Sequence, residues 1–176
     1  MAKLLQIAQL GNKILRKKAS TIINIQNQEI QNLIDDMLLT LKDSGGVGIA
    51  APQVYQSKKI IIISCSPSPR YPKAPKMRPL VMINPKIISY SEKTKKGFEG
   101  CLSIPGLRAL VPRFIETKIS FLNREGNSQT KIFKDIVSRI FQHELDHLEG
   151  VLYIDKVENT KEIYTDKEYQ KMIAKK

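Results

Sequence analysis

The 176-residue sequence predicts an α+β domain. Mixed or antiparallel β-sheets are expected to pack around a central helix carrying the run His143-Glu144-Leu145-Asp146-His147, with an N-terminal and a C-terminal helix besides. Three observations predict it. Apolar residues recur at helical spacing in only a few stretches, β-branched and alternating runs fill much of the rest, and the strands do not alternate regularly with helices.

In chain order, the first clear helix runs from about Gln28 to Lys42. Ile30, Leu33, Ile34, Met37, Leu38 and Leu41 repeat at three and four and form one apolar stripe. Asn27 can cap its start, Gly45 follows its end, and Lys42 stands where the helix dipole favours a cation. Next comes Gly45-Gly46-Val47-Gly48-Ile49-Ala50-Ala51-Pro52-Gln53, whose small side chains let another backbone approach closely. Lys59 to Ser64 is β-branched and reads as a buried strand. Ser64 to Pro79 holds five of the nine prolines and reads as a loop. Leu80 to Ile83 and Lys86 to Tyr90 are strands parted by Asn84-Pro85, and Thr117 to Asn123 and Thr130 to Phe133 flank a hairpin turn at Arg124 to Asn127. Asp135 is expected to cap the motif helix and Gly150 to stop it. A capping box at Thr165 to Glu168 opens a last helix with Tyr169, Met172 and Ile173 on its apolar side, in a tail from about 159 to 176.

The composition excludes several classes. The length suits one domain spanning residues 1–176, no internal repeat is present, and no run approaches the ~18 apolar residues of a membrane span. The segment MAKLLQIAQL lacks the apolar stretch and cleavage site of a secretory signal, so a cytoplasmic protein is expected, or an organellar one if the chain is a processed form. Net charge is +12; between Gln53 and Lys96 ten Lys or Arg face a single acid, Glu92. That bias can draw a protein to an anionic surface, or can be a solvated lysine face. No aromatic-interleaved motif supports sequence-specific nucleic-acid reading.

His143 and His147 are the only histidines. Four residues apart on a helix, they project from one face and can meet one cation. Glu144 lies one step round, able to reach a metal-bound water without being a ligand. This is the H-E-x-x-H arrangement of metal-dependent hydrolases. Two imidazoles leave a catalytic metal under-coordinated; Glu149, Asp155 and Glu158 downstream or the Cys101 thiol upstream could complete the set. Cys65 reads as a buried small hydrophobe.

Taken in order, Gly46-Val47-Gly48-Ile49-Ala50-Ala51-Pro52-Gln53, Glu99-Gly100-Cys101-Leu102-Ser103 and Gln142-His143-Glu144-Leu145-Asp146-His147-Leu148-Glu149-Gly150 resemble the three signature motifs of peptide deformylase, a similarity running to about residue 155. The resemblance implies hydrolytic removal of the formyl group from the N-terminal formylmethionine of new polypeptides, releasing formate. It implies one divalent metal on Cys101, His143 and His147, with Fe2+ favoured and Zn2+, Ni2+ or Co2+ able to substitute. It implies Glu144 as general base, and Gln53 and the Leu102 N–H as oxyanion donors. Substrate contacts are expected from Val47, Gly48, Ile49, Glu99, Gly100, Arg108, Ile136 and Ile140. Asp146, Gln142 and Ser103 read as supporting residues. The expected partners are N-formylmethionyl nascent peptides, with ribosomal RNA association motivated by the charge, and the chain is expected to be a monomer. The competing readings are an H-E-x-x-H endopeptidase with a downstream carboxylate ligand and a non-catalytic ribosome-binding homologue.

Overall fold

The computed structural model describes residues 1–67 and 74–174. Five strands form one antiparallel sheet in the order β1-β2-β3-β6-β7: β1 Gly48–Ala50, β2 Ile60–Cys65, β3 Met77–Tyr90, β6 Glu116–Leu122 and β7 Ser128–Lys134. Three more form a second antiparallel sheet, β4-β5-β8: Thr94–Cys101, Ile104–Phe114 and Ile163–Thr165. The helices are α1 Gln28–Ser44, α2 Asp135–Leu148 and α3 Asp166–Ala174. The motif helix is α2, and it packs against strands of both sheets, as the α+β reading expects.

The β2 run explains the layering. Its side chains alternate: Ile60 and Ile62 join Ile30, Ile34, Met37 and Leu41 of α1, whereas Ile61 and Ile63 join Val137, Ile140 and Phe141 of α2. A strand buried on both faces reads as a continuous β-branched run, not an alternating one. The second sheet buries Ile104, Ala109 and Val111 with Leu15, Leu152 and Tyr153. Helix α1 is capped as expected. Asn27 accepts from Glu29 N–H at 2.7 Å, and Gly45 adopts a left-handed φ of 62° with its N–H on the Lys42 carbonyl.

Three expectations about these elements need correction. The break at Asn84-Pro85 is a bulge inside one continuous strand, since the four residues from Ile83 to Lys86 oppose the three from Leu122 to Ser120. Asn84 takes the left-handed conformation there (φ 50°), and its side chain bonds both the N–H and the carbonyl of Ile22 at 2.9 and 2.8 Å. The proline-rich loop is shorter than expected. Ser64 and Cys65 belong to β2 and Met77 to Pro79 to β3, with Pro79 at a second irregularity where no ladder donor is required. Residues 68–73 of that loop lie outside the described residues. Asp135 does not cap α2. It is the first helical residue, with φ 48°, and its N–H donates to the Ile115 carbonyl at 2.8 Å; Lys134 holds the cap position without a side-chain capping bond, its Nζ pairing instead with Glu116 at 3.0 Å. The β4-β5 hairpin is an addition, because Thr-Lys-Lys-Gly-Phe-Glu-Gly-Cys carries no strand pattern.

The last helix starts as its capping residue predicts, with Thr165 Oγ1 accepting from Glu168 N–H at 3.3 Å. Tyr169 is buried and Met172 half-buried, but Ile173 is exposed. Among the described residues no helix is long and apolar enough to cross a membrane.

Candidate metal centre

Two elements from different parts of the chain meet to form the site. Cys101 ends β4 at a tight turn through Leu102 and Ser103, while His143 and His147 stand on consecutive turns of α2. The Cys101 Sγ and one nitrogen of each imidazole all lie within 4.8 Å of one another. Cys101 Sγ and His147 Nε2 are 3.3 Å apart. Ligands at about 2.3 Å (sulfur) and 2.0–2.1 Å (nitrogen) around a tetrahedral ion would be separated by ~3.5 Å. The spacing therefore suits a single first-row cation.

The tautomer of His143 is fixed from behind. Its Nδ1 lies 2.9 Å from Glu99 Oε2, which leaves Nε2 for the centre. Glu99 is itself held by Arg113, whose Nε and Nη2 donate at 2.9 and 3.0 Å, and by Arg139 at 2.8 Å. Arg113 also donates to Asp146 at 2.6 Å. Thus Asp146 points away from the histidine face and ties α2 to β5. Burial alone would raise the Glu99 pKa; hydrogen bonds from His143 and Arg113, together with the Arg113 charge, outweigh it and hold the carboxyl far below the usual range. Glu99 was expected at the substrate, yet its carboxylate is consumed by this network.

The two imidazoles are driven in opposite directions. Burial would lower the His143 pKa, but the Cys101 sulfur and Glu99 hydrogen bonds drive it well upward. His147, buried and next to His143, is driven well downward. Cys101, His143 and His147 turn one sulfur and two imidazole nitrogens toward a common point, a donor set that suits a first-row divalent ion, so the residues present fit a metal.

Glu144 sits beside the cluster, 4% exposed, with Oε2 lacking any hydrogen-bond partner among the described residues. Burial, aided by the Glu99 charge, raises its pKa from 4.5 to about 7 against the opposing His143 charge. A carboxyl poised near neutrality can take and return a proton. It lies against Gly48 of β1 so closely that any β-carbon at that residue would occupy the carboxylate's place. Gln53 comes from the turn after β1. Its Oε1 accepts from Ala50 N–H at 2.9 Å, which aims Nε2 at Ser103 Oγ (3.2 Å) and Cys101 Sγ (3.3 Å).

These groups share a cavity of about 280 Å3. Val47, Gly48, Gln53, Glu99, Gly100, Cys101, Leu102, Arg108, Ile136, Ile140, His143 and Glu144 line it, which covers the expected site residues apart from Ile49 and His147. Ile49 is corrected: it is wholly buried with the α1 cluster and does not face the cavity. His147 lies deeper, behind Cys101. The expected alternative ligands are elsewhere. Glu149 pairs with Lys18 at 2.7 Å, Asp155 with Arg16, and Glu158 with Lys96 at 2.9 Å. Sequence reasoning missed Arg113 and Arg139, since isolated arginines in a basic chain carry no spacing signal. It also missed Tyr153, which stacks on His143 with ring centres 5.9 Å apart.

Comparison with known proteins agrees with this geometry. The family model described as polypeptide deformylase matches residues 4–162. The chain belongs to the peptide deformylase family. It is 50% identical over 173 residues to peptide deformylase 2 of Nostoc sp., covering 98% of this chain and 97% of that one. Identity to the Desulfitobacterium hafniense peptide deformylase is 42%, covering 88% and 95%. The Met-Ala-Ser-bound class I type b peptide deformylase of Acinetobacter baumannii superposes with a TM-score of 0.86 at 40% identity, over 89% of this chain and all of that one. Deformylases are metal-dependent hydrolases that remove the formyl group from an N-terminal methionine, and this chain is an enzyme of that kind.

Proposed function

We propose that Cys101, His143 and His147 hold one divalent ion, and that Glu144, Gln53 and Leu102 carry out the deformylation around it. The observation that carries this reading is the sulfur and two imidazoles converging beside a buried carboxylate whose Oε2 has no partner among the described residues. A nitrogen-nitrogen-sulfur set accepts several ions, and we assign Fe2+ with Zn2+, Ni2+ and Co2+ as substitutes. When bound, the ion lowers the pKa of water and polarises the formyl carbonyl.

The chain's own groups do the rest. Glu144 takes the proton of the attacking water and later delivers it to the departing amine, so the same Oε atoms serve both transfers. Negative charge building on the formyl oxygen requires donors fixed in advance. Gln53 Nε2, oriented by Ala50 N–H, and the Leu102 backbone N–H supply them. β1 is an edge strand whose outer side faces the cavity. Val47 already gives its carbonyl to Ser64 in β2, so ladder alternation turns the Gly46 and Gly48 main chain outward, where an extended peptide can add as a further strand. Val47, Ile136 and Ile140 line the same space and supply apolar wall for a methionine side chain. Arg108 meets the peptide main chain beyond that residue.

The substrates on this reading are N-formylmethionyl nascent peptides, met in the cytoplasm by a monomer. The +12 charge would draw the enzyme to ribosomal RNA where such chains emerge. Co-sedimentation with ribosomes should weaken steeply as salt rises; salt-independent association would contradict the electrostatic origin. Catalysis is tested by formate release from formyl-Met-Ala-Ser using anaerobically purified protein. Turnover is expected with the parent chain and none with Glu144→Ala. No formate from iron-, nickel- or zinc-loaded parent protein would favour a non-catalytic role.

A further inference from the structure

The stretch matching the family model ends at residue 162, yet the chain after it returns to the cavity. β8 pairs Ile163, Tyr164 and Thr165 with Ala109, Arg108 and Leu107 of β5. Tyr164 and Tyr169 close on Phe98 of β4 with ring centres 5.5 and 4.8 Å away, which anchors the segment to the second sheet. Asp166, the first residue of α3, then lines the same cavity as Glu144.

There Asp166 Oδ1 accepts the Arg108 Nε–H at 2.6 Å, and the Tyr169 ring lies 6.0 Å below the guanidinium carbon. Gly100 makes this possible, because a β-carbon there would overlap the guanidinium. Among the described residues neither Nη of Arg108 has a hydrogen-bond partner. Arginine carries five donors in a rigid fork, so fixing Nε fixes the direction of the other two nitrogens.

We propose that Asp166 is a positioning residue that sets how tightly peptide beyond the formylmethionine is held, by locking the Arg108 fork across Gly100 with both Nη groups free for substrate carbonyls. This rests on Arg108 meeting the peptide main chain, as proposed above. Asp166 touches no reacting atom. Its effect is therefore confined to substrates long enough to reach Arg108, and to binding instead of the chemical step.

The test compares Asp166→Ala with the parent on formyl-Met-Ala-Ser and on formylmethioninamide, which ends before Arg108. On the tripeptide, kcat/KM should fall about five- to tenfold, the scale of one charge-assisted hydrogen bond in a partly open site, with the change in KM and not in kcat. Formylmethioninamide should be unaffected. Asp166→Asn, which keeps an acceptor oxygen for Nε–H, should restore most of the loss. In an Arg108→Ala background, Asp166→Ala should do nothing further. Equal losses on both substrates, a loss that persists without Arg108, or no change at all would overturn the proposal. Calorimetric binding of Met-Ala-Ser to parent and variant reads the same effect without turnover. Absent formate release by the parent sinks the catalytic reading, whereas unchanged peptide affinity in Asp166→Ala sinks this one.

Discussion

Replacing Glu144 by Gln should make the metal-free protein more stable while abolishing its activity. The carboxyl is 4% exposed and one of its oxygens has no partner among the described residues, so its charged form is disfavoured in the fold. Below pH 4.5 the group is protonated in both the folded and unfolded chain and costs nothing. Between 4.5 and about 7 the unfolded chain ionises but the folded one does not, so stability falls as pH rises. Above about 7 the folded form ionises too, and the penalty levels off. The interval from 4.5 to about 7, at about 1.4 kcal/mol per pH unit, gives a plateau of about 3–4 kcal/mol. Glutamine has the same shape and no charge to bury. Urea unfolding of chelator-treated, reduced protein should show the variant gaining about 3–4 kcal/mol over the parent between pH 4 and pH 8, with the difference growing through that window. A gap independent of pH, or one that shrinks as pH rises, would refute the burial argument. Loading a divalent ion should reverse the preference, because its charge favours the ionised carboxylate.

Other perturbations separate the remaining parts. Gly48→Ala should lower kcat about a hundredfold with the fold retained, because its β-carbon displaces the Glu144 carboxylate; steady-state formate assays with circular dichroism check this. Gln53→Ala should cost about 10²–10³ in kcat with little effect on metal content, the expected loss of one oxyanion donor. Glu99→Ala strands the buried Arg113 and the Arg139 side chain, and should destabilise the protein by about 3–5 kcal/mol in urea titrations while weakening metal retention. Cys101→Ala should lose the metal on gel filtration, whereas Glu149→Ala, whose carboxylate pairs with Lys18 and Lys59, should keep it.

What could be read ahead of the structure follows a physical division. Helix α1, the buried β2 run and the Arg124 to Asn127 turn were readable because each is specified locally, by an apolar period, a β-branched run and turn residues. The cysteine and both histidines were readable because their chemistry is rare and their spacing constrained. The β4-β5 hairpin was not. Its glycines at 97 and 100 weaken any strand pattern, and they are there because Arg139 and Arg108 lie against them. Nor was Glu99's role, since nothing within its own motif shows that arginines from β5 and α2 converge on it. Ile49 misled because a motif groups neighbours that a strand sends to opposite faces. Asp135 misled because a strand running directly into a helix leaves no capping residue in between.

The most direct test of the account is the metal's own coordination shell, measured by X-ray absorption at the iron or zinc edge on anaerobically purified protein. One sulfur at about 2.3 Å and two nitrogens at about 2.0–2.1 Å are predicted, with the sulfur scatterer absent in Cys101→Ala. A shell of nitrogen and oxygen alone in the parent protein would contradict it.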